Sequence, residues 1–209
     1  AGLRALFLNC TLYRTPERSR TEMLIDVART TMEAAGVGVS IIRPVDYVLA
    51  DGLYPDMTQH GCAQDDWPAL FAKVLASDIL VLTTPVWLGA RSSVCSRVIE
   101  RLHGCAELAG QGPAGYAGRV GGCLVAGPED GAGNAAMSVL YALQQLGFAL
   151  PPQADTACLA PDGTIASGDE AVRARTVRMA TNLMRLAWLL RSVEKKARKK
   201  PIEKKQVRG

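Results

Sequence analysis

The chain has 209 residues, of which 48% are hydrophobic and 21% charged, and it carries a net charge of +4. That length suits one domain, and that composition excludes global disorder. No run approaches the roughly 18 apolar residues needed to span a bilayer, so no transmembrane segment is expected.

Short apolar runs alternate with helical patterns along the chain. Leu3–Leu8 reads as a buried strand. Thr21–Ala35 places Leu24, Val27, Ala28, Thr31 and Ala35 at helical spacing, and Gly36 stops it. Val37–Ile42 reads as a second strand. A Pro-, Gly- and Asp-rich loop then runs from Pro44 to Asp65, longer than typical connections, which points to function or to an interface. Asp66–Ala76 reads as a helix with an acidic start and an early Pro68. Ile79–Thr84 is a third strand, and Ser92–Leu102 a helix with serine capping candidates. Val120–Ala126 and Gly133–Leu146 give a fourth strand and helix, with a short fifth strand within Ala149–Leu159. Asp169–Leu190 is a long amphipathic helix with Val172, Met179, Leu183, Leu186 and Leu190 on one face, and it is expected to continue to about Lys200, where Pro201 stops it.

Strands fed by crossover helices build a parallel sheet with helices on both faces. Five strands in about 200 residues favour the flavodoxin-like order 2-1-3-4-5. The ligand crevice of such a sheet lies outside the carboxyl ends of the strands where the order reverses. The loops after strands 1, 3 and 4 are therefore the ones expected to carry chemistry.

The first loop, Asn9–Thr21, is rich in hydroxyls and arginines and runs into a helix N-terminus. Free N–H groups and the helix dipole favour phosphate there, and Thr11, Ser19 and Thr21 add hydroxyl donors. Local capping is the competing reading, because Ser19-x-x-Glu22 fits a capping box. The Walker pattern is absent, which argues against nucleotide triphosphate hydrolysis. The second loop, Thr84–Arg91, holds Val86, Trp87 and Leu88 beside Pro85 and Gly89. It reads either as a slot for a planar ring or as a lid over the core. The third loop, Gly127–Asn134, holds three glycines that permit close backbone approach. Its G-x-G-x-x-A string sits in the fourth strand–helix unit and does not follow its strand directly, unlike a dinucleotide fingerprint. A phosphate cradle, an apolar slot and a glycine-rich wall suit a ligand with a phosphate tail and a flat ring, and FMN is the natural candidate.

These residues resemble the flavodoxin-like NAD(P)H-dependent FMN reductase and NAD(P)H:quinone reductase family. The similarity is carried by Ser19-Arg20-Thr21, Asp65-Asp66-Trp67-Pro68, Thr84-Pro85-Val86-Trp87-Leu88-Gly89, Val98–Leu102, Gly121–Val125 and Glu129-Asp130-Gly131. It covers about residues 3–192. The resemblance implies FMN bound without covalent attachment and reduced by NAD(P)H, with electrons passed to a quinone, free flavin or similar small acceptor. It assigns the phosphate to Thr11, Ser19 and Thr21, and the ring to Pro85, Val86, Trp87, Leu88 and Gly89. The outer wall falls to Gly127, Glu129, Asp130 and Gly131. Ala90 and Pro128 stand where many members carry Ser and Asn. The resemblance also implies a homodimer or homotetramer, with the Pro44–Asp65 loop as the segment that reaches a neighbour. An electron-carrier flavodoxin and a flavodoxin fold that no longer binds flavin are the alternatives.

Six cysteines without a C-x-x-C pair suggest reduced thiols and a cytoplasmic protein. The opening AGLRALFLN is too short for a signal-peptide core and cleavage site. The repeated His-Gly-Cys triplets at 60–62 and 103–105 do not have a zinc spacing, so no metal is expected. Cys95, in the first turn of its helix, reads as packing rather than as a reactive thiol. Residues 194–209 hold eight basic groups against Glu194 and Glu203, so a basic tail follows a slightly acidic 1–193 body. No aromatics interleave it, which favours a solvated tail, with docking on an acidic partner, nucleic acid or a membrane surface as the alternative.

Overall fold

The computed structural model describes residues 2–109, 115–127, 129–159 and 169–199. The strands are β1 (Arg4–Asn9), β2 (Gly38–Ile42), β3 (Ile79–Trp87), β4 (Ala90–Arg91), β5 (Val120–Gly127) and β6 (Asp155–Leu159). The helices are α1 (Glu22–Ala34), α2 (Trp67–Leu75), α3 (Ser93–Gly104), α4 (Ala106–Ala109), α5 (Glu129–Gln145) and α6 (Glu170–Lys199). The main sheet has the order β2-β1-β3-β5-β6, with every one of these pairs parallel. Apart from the two-residue β4, which pairs antiparallel with β3, this is the expected 2-1-3-4-5 arrangement.

Alternation along the strands fills two cores. Leu6, Leu8, Leu80 and Leu82 point to the layer that includes Trp67, Leu70, Val98, Leu102, Val139 and Leu143. Ala5, Phe7, Ile79 and Val81 point to the layer formed by Leu24, Ala28, Met32, Met179 and Leu183. Both faces of β3 are covered, so Ile79–Leu82 read as one unbroken apolar run rather than as an alternating one.

Two boundaries differ from the sequence reading. β3 continues past Thr84 to Trp87, although proline usually closes a strand. Pairing with β4 carries it on: Val86 opposes Arg91, and Trp87 opposes Ala90. α5 begins at Glu129 rather than Gly133, so most of the supposed third loop is helix. Glycine's low helix propensity hid this start, and tertiary packing overrides it. α6 runs past Leu190 to Lys199, as the expected extension to about Lys200 has it. Positions 200–209 of the basic tail, and Pro128, lie outside the described residues.

The long Pro44–Asp65 segment is held by a buried ion pair. Arg101 on α3 donates to Asp65 at 2.6 Å, and their side chains are 1% and 0% exposed. The Asp65 carboxylate also accepts from the backbone N–H groups of Ala50, Met57 and Trp67. Arg101 donates in addition to the carbonyls of Ala50, Gly52 and Pro55. Of this pair only Arg101 Nε lacks a partner among the described residues, and a buried pair otherwise so fully hydrogen-bonded fixes a segment this long.

Candidate functional site

The loop after β1 is built around hydroxyls that turn inward. Asn9, Ser19 and Thr21 are all buried. Thr21 Oγ1 donates to Asn9 Oδ1 at 2.6 Å, Asn9 Nδ2 donates to Ser19 Oγ at 3.2 Å, and the two hydroxyls lie 2.6 Å apart. The capping box is only half formed. Glu22 reaches back to the Ser19 N–H at 3.4 Å, but the Ser19 hydroxyl faces Asn9 and Thr21 instead of capping α1. The first-turn amides of α1 thus receive no side-chain cap. The Glu22 N–H donates to the Ser19 carbonyl at 3.2 Å, and the Met23 and Leu24 amides remain open to an anion.

The same loop is tied to the chain after β2. Arg43 donates to the carbonyls of Tyr13 and Glu17 and pairs with Glu22. Asp46 accepts from Thr15 N at 3.0 Å and Thr15 Oγ1 at 2.7 Å. Desolvation pushes the Asp46 carboxyl up, but these two bonds and the Arg43 and Arg14 charges outweigh it and hold it below its ordinary value.

The loop after β3 is a tight hairpin. Leu88 and Gly89 both have positive φ, 49° and 77°, as a type I′ turn between β3 and β4 requires. Glycine takes this conformation freely, whereas leucine does so at a cost of roughly 1–2 kcal/mol. Leu88 is fully exposed and Trp87 is 47% exposed. At the base of the hairpin, Ser92 N donates to Thr84 Oγ1 and Ser92 Oγ donates to the Cys10 carbonyl at 2.7 Å. That bond locks the hairpin to the loop after β1. Ser92 also caps α3 by accepting from Cys95 N.

The wall beside the hairpin is the start of α5. Gly131 lies against Gly89: a Cβ built on Gly131 falls 2.4 Å from the Gly89 Cα, and Gly131 itself has φ of 114°. Asn134 Nδ2 donates to the Gly89 carbonyl at 2.9 Å. Gly131 therefore serves a close approach between two backbones, whereas Gly133 meets nothing within 4 Å.

Between these three segments lies a cavity of about 300 Å³. It sits outside the carboxyl ends of β1 and β3, where the strand order reverses. Thr11, Ser19, Thr21, Pro85, Val86, Trp87, Leu88 and Gly127 line it, as the sequence reading anticipates. Gly89 and Gly131 support its rim instead. Glu129 and Asp130 open α5, and their side chains lie outside the described part. Arg20 also lines the cavity, as do Tyr13 and Ala126, which were not among the candidates. Nor were Asn9, Arg43, Thr84 and Ser92, which set its shape through contacts distant in sequence. Of these, Asn9 alone left a signal, as a polar residue closing an apolar strand run.

Residues 4–158 match the model for the NADPH-dependent FMN reductase family. The chain belongs to that family. It is 36% identical over 171 residues to the 8-demethyl-8-aminoriboflavin-5'-phosphate synthase of Streptomyces davaonensis, covering 78% of this chain and 66% of that protein. It is 47% identical over 201 residues to the divalent metal cation transporter MntH of Mycobacterium bovis, strain ATCC BAA-935 / AF2122/97, covering 91% of this chain. The chain spans only 29% of that longer protein. Among solved structures, RosB with bound 8-demethyl-8-formylriboflavin-5'-phosphate superposes with a TM-score of 0.82 at 28% identity, covering 100% of this chain and 95% of that one. An archaeal flavodoxin superposes at 0.59 and 8% identity, covering 89% and 99%, which shows the shared fold.

The FMN reductase family uses FMN and NAD(P)H, and the residues present fit that cofactor. One end of the cavity offers buried hydroxyls and open helix amides, and the other offers Pro85, Val86, Trp87 and Leu88. Among the described residues no carboxylate lines it to oppose a phosphate. The cysteines contribute packing. Burial pushes the Cys10 thiol well up, helped by its neighbour Cys95, and burial likewise raises Cys123. Cys95 is itself fully buried in the same core. Among the described residues no group of three or more His, Cys, Asp or Glu side chains is placed to hold a metal.

Proposed function

We propose that this chain binds FMN without covalent attachment and passes electrons from NAD(P)H to a small acceptor, a quinone or a free flavin. The observation that carries this reading is the cavity itself. It joins the Asn9–Ser19–Thr21 cluster to the exposed edge of the β3–β4 hairpin at the switch point of the sheet. The Streptomyces relative supports it, since that protein is a synthase of a riboflavin 5'-phosphate derivative.

In this reading Thr11, Ser19, Thr21 and the first amides of α1 hold the phosphate. Pro85, Val86, Trp87, Leu88 and Gly89 lie along the ring. Gly127, Glu129, Asp130 and Gly131 form the outer wall, with backbone groups supplying its hydrogen bonds. Bound FMN supplies the hydride and electron chemistry, so no Ser-His-Asp or Cys-His set is required. The protein's own part is to orient the ring, leave one side open and exclude water from the phosphate end. The exposed Leu12, Tyr13, Trp87 and Leu88 form an apolar, partly aromatic rim that favours a planar acceptor.

The visible spectrum of the purified protein tests the cofactor, with flavin bands expected at one FMN per chain. Stopped-flow mixing with NADPH then tests the activity. Rapid bleaching followed by recovery on adding a quinone is expected, whereas a flavin that NADPH does not bleach belongs to an electron carrier. A protein that neither carries nor binds FMN in a fluorescence titration overturns the reading. The body carries only a slight negative charge, which suits an electron carrier poorly, because such carriers dock through strongly charged surfaces.

Assembly into a homodimer or homotetramer is part of the same proposal. Val48, Leu53 and Tyr54 are exposed on the Pro44–Asp65 segment, which Arg101 and Asp65 hold in place. Sedimentation at micromolar concentration is expected to give a multiple of the chain mass. A monomer would show that this segment contacts no second copy.

A further inference from the structure

Charge in this molecule is concentrated on one helix. α6 carries nine Lys and Arg against two Glu, a net of +7, while the whole chain carries +4. All other residues together therefore carry −3. Arg173, Arg175, Arg178 and Arg185 are exposed on this helix, and none makes an ion pair with a described residue. Lys195, Lys196, Arg198 and Lys199 follow within the same helix.

The surface is also apolar. Val172, Met179 and Leu183 face the core, while Trp188, Leu189 and Val193 stand in solvent at 45%, 59% and 56% exposure. Beside them Leu150, Pro151, Pro152, Arg185, Leu186 and Leu189 line a shallow groove of about 390 Å³. Asn182 Nδ2 closes its floor by donating to the Pro152 carbonyl at 2.8 Å. Arg185 also borders a second groove, of about 470 Å³, lined by Arg173 and Arg178. Exposed cationic side chains from Arg173 to Arg185 thus lead into the exposed apolar Trp188, Leu189 and Val193 along a helix about 45 Å long.

We propose that this exposed strip of α6 is a docking surface for an anionic phospholipid bilayer. Charge decides between the possible occupants. A second copy laid on the same face across a twofold axis would bring two +7 helices together, and like charges repel. Nucleic acid would match the arginines but not Trp188, Leu189, Val193 and the proline groove, because nucleic-acid interfaces are more polar. A helix that mixes Arg and Lys with Trp and Leu suits the boundary between headgroups and acyl chains. There, each basic residue near the anionic surface strengthens binding about fivefold. Tryptophan prefers that depth.

The direction of α6 makes docking compatible with the cavity. Arg191 Nη1 donates to the Gly2 carbonyl at 2.7 Å and lies 3.7 Å from Asp78. The apolar end of α6 therefore lies at the amino ends of β1 and β3, across the sheet from the cavity. A bilayer against Trp188, Leu189 and Val193 leaves the cavity mouth open.

Sedimentation of the full chain with vesicles of phosphatidylcholine, with and without phosphatidylglycerol, tests the proposal. Binding is expected only with phosphatidylglycerol and is expected to weaken as salt rises. Arg178→Glu with Arg185→Glu should lower partitioning at least about tenfold. Trp188→Ala with Leu189→Ala should lower the part of the binding that survives high salt. Both variants should keep the melting temperature and flavin spectrum of the parent protein. Equal binding to neutral vesicles, or no binding to either, overturns the proposal. So does binding of a duplex oligonucleotide, without vesicle binding, that the same charge reversal abolishes. A dimer that Leu189→Asp dissociates would assign the strip to a second copy instead.

Discussion

At one end of the cavity Asn9, Ser19 and Thr21 are 1%, 8% and 1% exposed and hydrogen-bonded to one another. At the other end Leu88 stands fully in solvent with φ of 49°. Buried polar groups cost stability unless each finds a partner, so the first end is rigid because it is satisfied. The hairpin end keeps backbone strain and exposed apolar surface, which persist where surrounding structure over-determines them. Arg43, Asp46 and Ser92 tie the first end to other elements, whereas Asn134 and Gly131 brace the second from one side only. One end is thus suited to holding an invariant phosphate, and the other to meeting acceptors of different shape.

The sharpest way to break this contrast is Asn9→Leu. The substitution keeps the branching and number of side-chain heavy atoms but faces the Ser19 and Thr21 hydroxyls with an apolar group. Each buried hydroxyl left short of a partner costs about 1–3 kcal/mol. Urea denaturation should show a loss of about 2–3 kcal/mol, and fluorescence titration should show FMN binding weakened about tenfold or more. Unchanged FMN affinity would mean that the cluster is only structural.

Next in size is a pair of glycine substitutions across one contact. Gly131→Ala drives a Cβ to 2.4 Å from the Gly89 Cα and imposes a positive φ on alanine. Its cost should be about 1–3 kcal/mol, which for a chain of this size lowers Tm by about 2–4 °C per kcal/mol. Gly89→Ala meets no atom within 4 Å and should cost only the left-handed conformation, about 1 kcal/mol. Equal costs would show that the hairpin does not rest on α5.

The sheet was legible because β1, β3 and β5 are continuous apolar runs separated by helical periods, and the hydrophobic effect enforces both patterns. The cavity was legible from the switch-point rule, which located three loops before any residue type was weighed. Its supports were not legible. Arg43 reaches Glu17, and Ser92 reaches Cys10, across separations of 26 and 82 residues that no local pattern encodes. The start of α5 was hidden because Gly131 and Gly133 look like loop residues. In the fold Gly131 is there to let two backbones touch. Arg101 looked like part of an ordinary helix, and only the structure reveals its carboxylate partner in the long loop.

Leu88→Asn sharpens the hairpin side of the contrast with a smaller effect of opposite sign. Asparagine tolerates the left-handed region and makes Asn-Gly, the preferred pair for this turn. The hairpin should gain about 0.5–1 kcal/mol, because the conformational cost to leucine is removed. If Leu88 meets the acceptor, kcat/KM for an apolar quinone should fall even as the melting temperature rises. Stability and turnover rising together would remove Leu88 from acceptor binding.

The smallest effect should come from acid. Asp46 anchors Thr15 and is held below its ordinary 3.8, since its hydrogen bonds and the nearby arginines outweigh desolvation. The folded carboxyl therefore holds its proton less tightly than the unfolded one. Its contribution to stability is complete above pH 3.8 and disappears as the pH falls through the lower folded value. Asp46 is exposed, so solvent screens the pair and keeps the effect small. Asp46→Ala should lower the urea midpoint slightly at neutral pH, and the gap from the parent protein should close below pH 3.8. A gap that stays constant through that window would mean that Asp46 holds the loop by packing rather than by charge. The firmness of the phosphate end would then rest on Arg43 and the Asn9 cluster alone.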